Sequence, residues 1–187
     1  MTWAMTVHQP WASLIVAGAK DVENRTWPIP STLARRRVCS SCGDDLERVN
    51  VTGVRLHEHA GRWFDWVDVG PAPFRLAIHA SRTYDHAAVL TRRVHDAILR
   101  LDHQPAERMG ALLGHVTVTG SHHADDCVIN HRYPQDDAPT KVYCSPWAEP
   151  DAWHWKLTDP ERLPAPIPMR GRQRMWRLPA DIRLVAA

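Results

Sequence analysis

Three ionisable side chains, Lys20, Glu23 and Arg25, crowd into one short run directly after Gly18. If the chain leaves that glycine in an extended conformation, Glu23 and Arg25 share a strand face, because side chains alternate with a period of two, and Lys20 lies in the turn before them. A carboxylate beside Lys20 holds it charged, whereas partial burial drives its pKa down and makes it a base. Glu23 can accept from the exocyclic amine of a nucleobase, Arg25 can fork onto a phosphate or a base carbonyl, and Trp11 offers a stacking face or a core contact. The plain alternative is a solvated turn in which Glu23 and Arg25 pair weakly. Lysine is scarce, with only Lys20, Lys141 and Lys156 among 23 basic residues. Lys20 therefore stands out where arginine is the default cation, since lysine can lose its proton near neutral pH and arginine cannot.

A second constellation is Cys39-Ser40-Ser41-Cys42-Gly43. Two thiolates at this spacing, followed by a glycine that lets the backbone turn, form half of a structural zinc site. His57 and His59 lie at i and i+2, on one face if the run is a strand, and can complete a Cys2His2 set. Cys127 or Cys144 with His122 or His123 are the other candidates for the remaining ligands. A third feature is the basic stretch Arg170, Arg172, Arg174 and Arg177 with Trp176 among them, which can follow a phosphate backbone or form a strand with alternate residues in solvent.

The elements that must position these groups follow from the apolar spacing. Met5 to Val7 reads as a strand. Trp11, Leu14 and Ile15 give one face to a helix over Gln9 to Ala17, opened by Pro10 and closed by Gly18 in a left-handed cap. Asp21 to Trp27 is an extended exit. Phe74 to His79, Ala111 to Thr119, Trp153 to Leu157 and Arg172 to Leu178 read as strands, and Tyr84 to Leu101 carries the clearest helical period, with Ser81 as its cap. Pro164, Pro166 and Pro168 enforce an extended connection. Residues 31–73 differ in character and read as an insertion of about 40 residues, too small to bury enough apolar surface without a staple such as zinc.

The run Gly18-x-Lys20-x-x-Glu23-x-Arg25, preceded by His8-Gln9-Pro10-Trp11-Ala12-Ser13-Leu14-Ile15, resembles the signature of the ASCH domain family, relatives of the PUA RNA-binding fold. Leu76-Ala77-Ile78-His79-Ala80-Ser81, Gly110-Ala111-Leu112-Leu113-Gly114, Trp153-His154-Trp155 and Arg170-Gly171-Arg172-Gln173 extend the likeness over nearly everything except 31–73. The resemblance implies a single α+β domain over 1–187, a small PUA-like β-barrel with two main helices. It also implies a cleft beside the first helix, lined by Lys20, Glu23 and Arg25, that takes RNA, DNA or a modified nucleotide, with His79 and Ser81 near it. Some similar proteins are small amidohydrolases acting on N4-acylated cytidine through a Lys and a Thr of this motif, and a few are proposed to cut RNA. Glu23 stands here where that Thr is expected, so a hydrolase of this kind would use Lys20 as base and Glu23 to activate water.

Composition bounds the rest. The chain has 187 residues, 44% apolar and 24% charged, with a net charge of +2, which suits one globular domain with an insertion but does not by itself announce nucleic-acid binding. The longest apolar stretch, Ala12 to Ala19, is far shorter than the roughly 20 residues of a membrane span and lacks the flanks of a secretory signal. The expected compartment is the cytoplasm, where the four cysteines stay reduced. Three functions remain in order: a nucleic-acid or modified-nucleotide binder with Lys20, Glu23 and Arg25 reading the ligand and the C-terminal arginines holding phosphate; a small hydrolase using Lys20 and Glu23; and a protein-interaction domain built on the insertion.

Overall fold

The computed structural model describes residues 2–30, 37–39, 56–59, 62–68, 73–127, 129–131 and 140–184. Its frame is a six-stranded mixed sheet formed by β1 (Trp3–Gln9), β2 (Val22–Arg25), β6 (Phe74–Tyr84), β7 (Ala111–His123), β10 (Trp153–Pro168) and β11 (Met175–Arg177), in the order β11-β1-β6-β7-β10-β2. β1 and β6 run parallel and the other neighbours antiparallel. The α+β class is as expected. The sheet is open, however, with β11 and β2 at its edges rather than joined into a closed barrel.

Helix α1 (Trp11–Val16) turns Leu14 to Ala88, Val94 and Ala97 and buries Ala12, Ile15 and Val16 against the sheet. They meet Met5, Leu76, Ile78, Leu113, Val116, Val118 and Trp155, the last wholly buried with its indole N–H donating to Trp27 O at 3.1 Å. Each large aliphatic side chain here contributes roughly 1.5–3 kcal/mol of burial, so this face fixes how α1 and the segment after it sit. The helix stops where expected. Gly18 takes φ +74° and the amides of Ala19 and Lys20 both return to Leu14 O, a turn that only glycine makes without cost.

Two local readings are corrected. The apolar period over Tyr84 to Leu101 is not one helix but α2 (His86–Val89) and α3 (Arg92–Ile98), because Thr91 is extended and turns its hydroxyl to Ala88 O at 2.8 Å, leaving Leu90 exposed. Nor does Ser81 cap it. β6 runs on to Tyr84, Ser81 closes a local turn with Thr83, and the cap is Asp85, which accepts from Ala88 N at 3.1 Å. A 3-10 turn (Pro105–Arg108) leads into β7, and α4 (Ala124–Cys127) follows it.

Within 31–73, β3 (Arg37–Cys39), β4 (Leu56–His59) and β5 (Arg62–Asp68) form a separate antiparallel sheet in the order β3-β5-β4. Cys39 is in register with Trp66, and His57 with Phe64. Cys42 and the side chains of Cys39, His57 and His59 lie outside the described residues, and with them the expected zinc set. A two-stranded hairpin, β8 (Ile129–His131) with β9 (Thr140–Val142), stands between Cys127 and Cys144. Among the described residues no helix is long and apolar enough to cross a membrane.

Candidate functional site

The Gly18 cap delivers Lys20 into the interior, and β2 then carries Glu23 and Arg25 on one face. Both Lys20 and Glu23 are buried, at 4% and 7% exposure. Lys20 Nζ donates to Glu23 Oε2 at 2.9 Å and to the Val22 carbonyl, while Arg25 approaches the other oxygen, Oε1, at 3.0 Å. Burial would raise the Glu23 pKa, but the charges of Lys20 and Arg25 with the Lys20 hydrogen bond, helped by His8, overcome it and hold the carboxyl below its ordinary value. The pairing is far from a weak solvated one. It forms a relay in which a buried cation and a buried anion fix the direction of a third group, Arg25, whose Nη2 also reaches Thr6 O at 3.3 Å.

Arg25 opens onto a cavity of about 750 Å³, a size that takes a small ligand or a stretch of a larger one. β1 contributes Thr6 and His8, β6 contributes His79, Ser81 and Arg82, and the loop joining β10 to β11 contributes Met169 to Arg174. Five arginines, Arg25, Arg82, Arg170, Arg172 and Arg174, line it, with no carboxylate in the lining among the described residues. In the cavity wall, Arg25 Nε and His79 Nδ1 are buried and have no partner among the described residues, and such orphans call for an explanation because unpaired buried polar atoms are costly. His79 is nearly inaccessible. Its Nε2–H donates to Met169 O at 3.0 Å, and burial lowers its pKa from the ordinary 6.5, which leaves a neutral ring with Nδ1 as acceptor.

The loop lies close over that ring. A Cβ on Gly171 would stand 2.5 Å from His79 Nδ1 and 2.7 Å from Thr6 Oγ1, so only glycine lets Arg170 and Arg172 pass so near the sheet. Arg174 takes φ +56° on the same loop.

The structure thus gathers Arg25, His79, Ser81, Arg170 and Arg172 around one cavity, with Lys20 and Glu23 off its lining and behind Arg25. Trp11 is elsewhere. Lys20 lies over its ring at 5.4 Å, Trp147 meets it edge to face at 6.1 Å, and its indole N–H donates to Asp85. Trp176 is buried against Thr6, and Arg177 stacks on Trp3 at 3.7 Å, so neither joins the cavity. Thr6, His8, Arg82, Arg174 and Gly171 were not singled out as site residues from sequence; Arg174 carried a signal as part of the basic stretch, and His8 and Gly171 fall within the stretches that carry the family likeness.

One set imitates a hydrolytic triad. Asp102 Oδ1 is 2.7 Å from His103 Nδ1, and His103 Nε2 is 3.1 Å from Ser13 Oγ. Ser13 is wholly buried, however, and its hydroxyl already accepts from Gln9 Nε2 at 2.9 Å, while Arg162 grips the Asp102 carboxylate with both nitrogens. No substrate carbonyl has room to reach that oxygen, and the network serves to fasten α1 to the strands behind it.

A second cluster lies at the far end of β7 and β10. His122, Cys127, Cys144 and His154 each present one donor atom, all within 4.8 Å of one another. This His/Cys set could hold a metal ion. Cys127, Cys144 and His122 were candidates from sequence; His154 was not, and His123 instead faces Asp125 and Trp153.

An open α+β sheet with an arginine-lined cavity fed by a Lys–Glu–Arg relay defines the class of site. Residues 5–127 match the family described as the ASCH domain, and the chain belongs to that family. Over 28 residues it is 61% identical to human (Homo sapiens) activating signal cointegrator 1 and 57% identical to the mouse (Mus musculus) protein of the same name. Those stretches make up 15% of this chain and 5% of each relative, so the likeness is to a small piece of much longer proteins.

Proposed function

We propose that the chain binds nucleic acid or a modified nucleotide, RNA or DNA, in the arginine-lined cavity, with Arg25 reading the ligand and Arg170 and Arg172 holding phosphate. The observation that carries this reading is the one-sided charge of the lining, five arginines and, among the described residues, no carboxylate around about 750 Å³. Guanidinium groups meet phosphate oxygens in pairs of parallel hydrogen bonds. The ASCH resemblance points the same way. A hydrolase would draw on Lys20 and Glu23, but each already neutralises the other and neither lines the cavity, so binding without turnover fits the geometry better. The expected zinc at Cys39 and Cys42 belongs to the insertion and is kept as a separate proposal, tested by the metal content of Cys39→Ser.

The test is to incubate the purified protein with ordinary and modified nucleosides and with short single-stranded RNA and DNA, following retention and product by mass spectrometry. Retention without a mass change is expected. A lost acyl group or a cut strand would replace the binder with a hydrolase, and no retention of any member would end the proposal.

A further inference from the structure

We infer that His122, Cys127, Cys144 and His154 form a structural zinc site that clamps the base of the β8–β9 hairpin to the main sheet. The four residues come from three parts of the chain brought together by the sheet. His122 on β7 and His154 on β10 are direct partners in the antiparallel register, and their rings sit edge to face at 5.3 Å. Cys127 closes α4 just before the hairpin, and Cys144 follows just after it. The segment that carries β8 and β9 thus begins and ends on sulfur.

The donor geometry fits a tetrahedral ion. Zinc bonds of about 2.3 Å to sulfur and 2.0–2.1 Å to nitrogen set a sulfur–nitrogen edge of roughly 3.6 Å. Cys144 Sγ and His154 Nδ1 are 3.6 Å apart, and all four donor atoms lie within 4.8 Å, so small side-chain movements close the set. Two thiolates and two neutral imidazoles also balance the charge of a divalent ion, which matters where His154 and Cys127 are buried.

Two further contacts prepare the ligands. His154 Nε2–H donates to Glu149 O at 2.7 Å, which fixes the tautomer that leaves Nδ1 free toward Cys144. The Cys144 amide donates to Cys127 Sγ at 2.9 Å, which holds the two cysteines side by side. His122 Nε2 is a buried ring nitrogen without a partner among the described residues, and coordination would satisfy it. Cys144 is exposed, which gives an ion a way in.

The clamp would stiffen more than the hairpin. The stretch after Cys144 ties itself to the relay strand, with Ser145 Oγ donating to Asp21 at 2.6 Å, Asn24 Nδ2 donating to Trp147 O at 2.8 Å and the Glu149 amide donating to Asn24 at 3.2 Å. His154 is in register with Asn24, next to Glu23. The ion therefore braces the wall beside the Lys20–Glu23 pair without touching the cavity.

The experiment is elemental analysis of protein purified without chelator, joined to cobalt substitution. About one zinc per chain is expected at this site, with cobalt-loaded protein showing thiolate-to-metal charge transfer and the intense visible bands of tetrahedral coordination. Cys144→Ser, whose exposed position lets the fold survive by circular dichroism, and His154→Ala should each lose about one zinc per chain and the matching share of the cobalt bands, while His123→Ala keeps them and any zinc lost in Cys39→Ser is a second ion. Zinc that leaves in Cys39→Ser and stays in Cys144→Ser would overturn the proposal. So would wild type that takes up neither metal, or a Cys127–Cys144 disulfide in protein handled without oxidant.

Discussion

Glu23 Oε1 lies 3.0 Å from the Arg25 guanidinium while its other oxygen takes Lys20 at 2.9 Å, so one buried carboxylate fixes both a hidden cation and the cation at the cavity. Removing Arg25 should therefore cost ligand more than fold. Arg25→Ala is expected to weaken oligonucleotide binding by about tenfold or more, from loss of charged hydrogen bonds of about 1.5–3 kcal/mol, with a smaller loss of thermal stability than Glu23→Gln, because Lys20 still holds the Glu23 carboxylate. Equilibrium binding and melting curves on the same preparation check this.

Breaking the pair from the other side should behave differently. Glu23→Gln leaves Lys20 buried without a countercharge, and removing one partner of a buried pair typically costs about 3–5 kcal/mol. Adding Lys20→Met to that variant should recover part of the loss, since an uncharged pair of similar volume needs no compensation. Urea denaturation of the two single variants and the double variant reads this coupling directly, and additive losses would contradict it.

How far these features were legible depends on whether neighbours in space were neighbours in sequence. Lys20, Glu23 and Arg25 could be placed because cap and alternation act over eight residues, and Gly18 adopts the left-handed turn expected of it. The cavity could not be drawn whole, because it joins β1, β2, β6 and the loop after β10 through a sheet order that no local period encodes. His154 escaped notice for the same reason: its partnership with His122 exists only in the β7–β10 register, which slips at three irregularities along the strand. The period over Tyr84 to Leu101 misled because apolar spacing does not report a threonine hydroxyl turning back on the helix.

Gly171 should resist any side chain. Gly171→Ala puts a methyl 2.5 Å from the buried His79 ring, and such overpacking costs about 1–3 kcal/mol. The backbone must move, carrying Arg170 and Arg172 with it, so binding should fall along with the melting temperature. An alanine variant that binds and melts like wild type would show that the close approach is not needed.

Acid should act in two stages. His79 and His115 have pKa values lowered by burial below the ordinary 6.5, so the unfolded chain takes up protons first and stability falls as pH drops below that value. Glu23, held below its ordinary 4.5, contributes stability that is present above pH 4.5 and lost as pH falls through its lower folded value. The urea midpoint should decline gently below pH 6.5 and more steeply below 4.5, and Glu23→Gln should remove much of the steeper part. A midpoint independent of pH from 7 to 4 would contradict this assignment.

If a wall of guanidinium groups holds phosphate, binding releases counterions and affinity falls as salt rises. Fluorescence anisotropy with a short single-stranded RNA over a range of potassium chloride should give a straight line of log affinity against log salt, with a slope of roughly −2 to −3.5 for three to five phosphates neutralised. Arg170→Ala and Arg172→Ala should each flatten it by about 0.7. Binding that ignores salt, or arginine variants that leave the line where it was, would contradict the account.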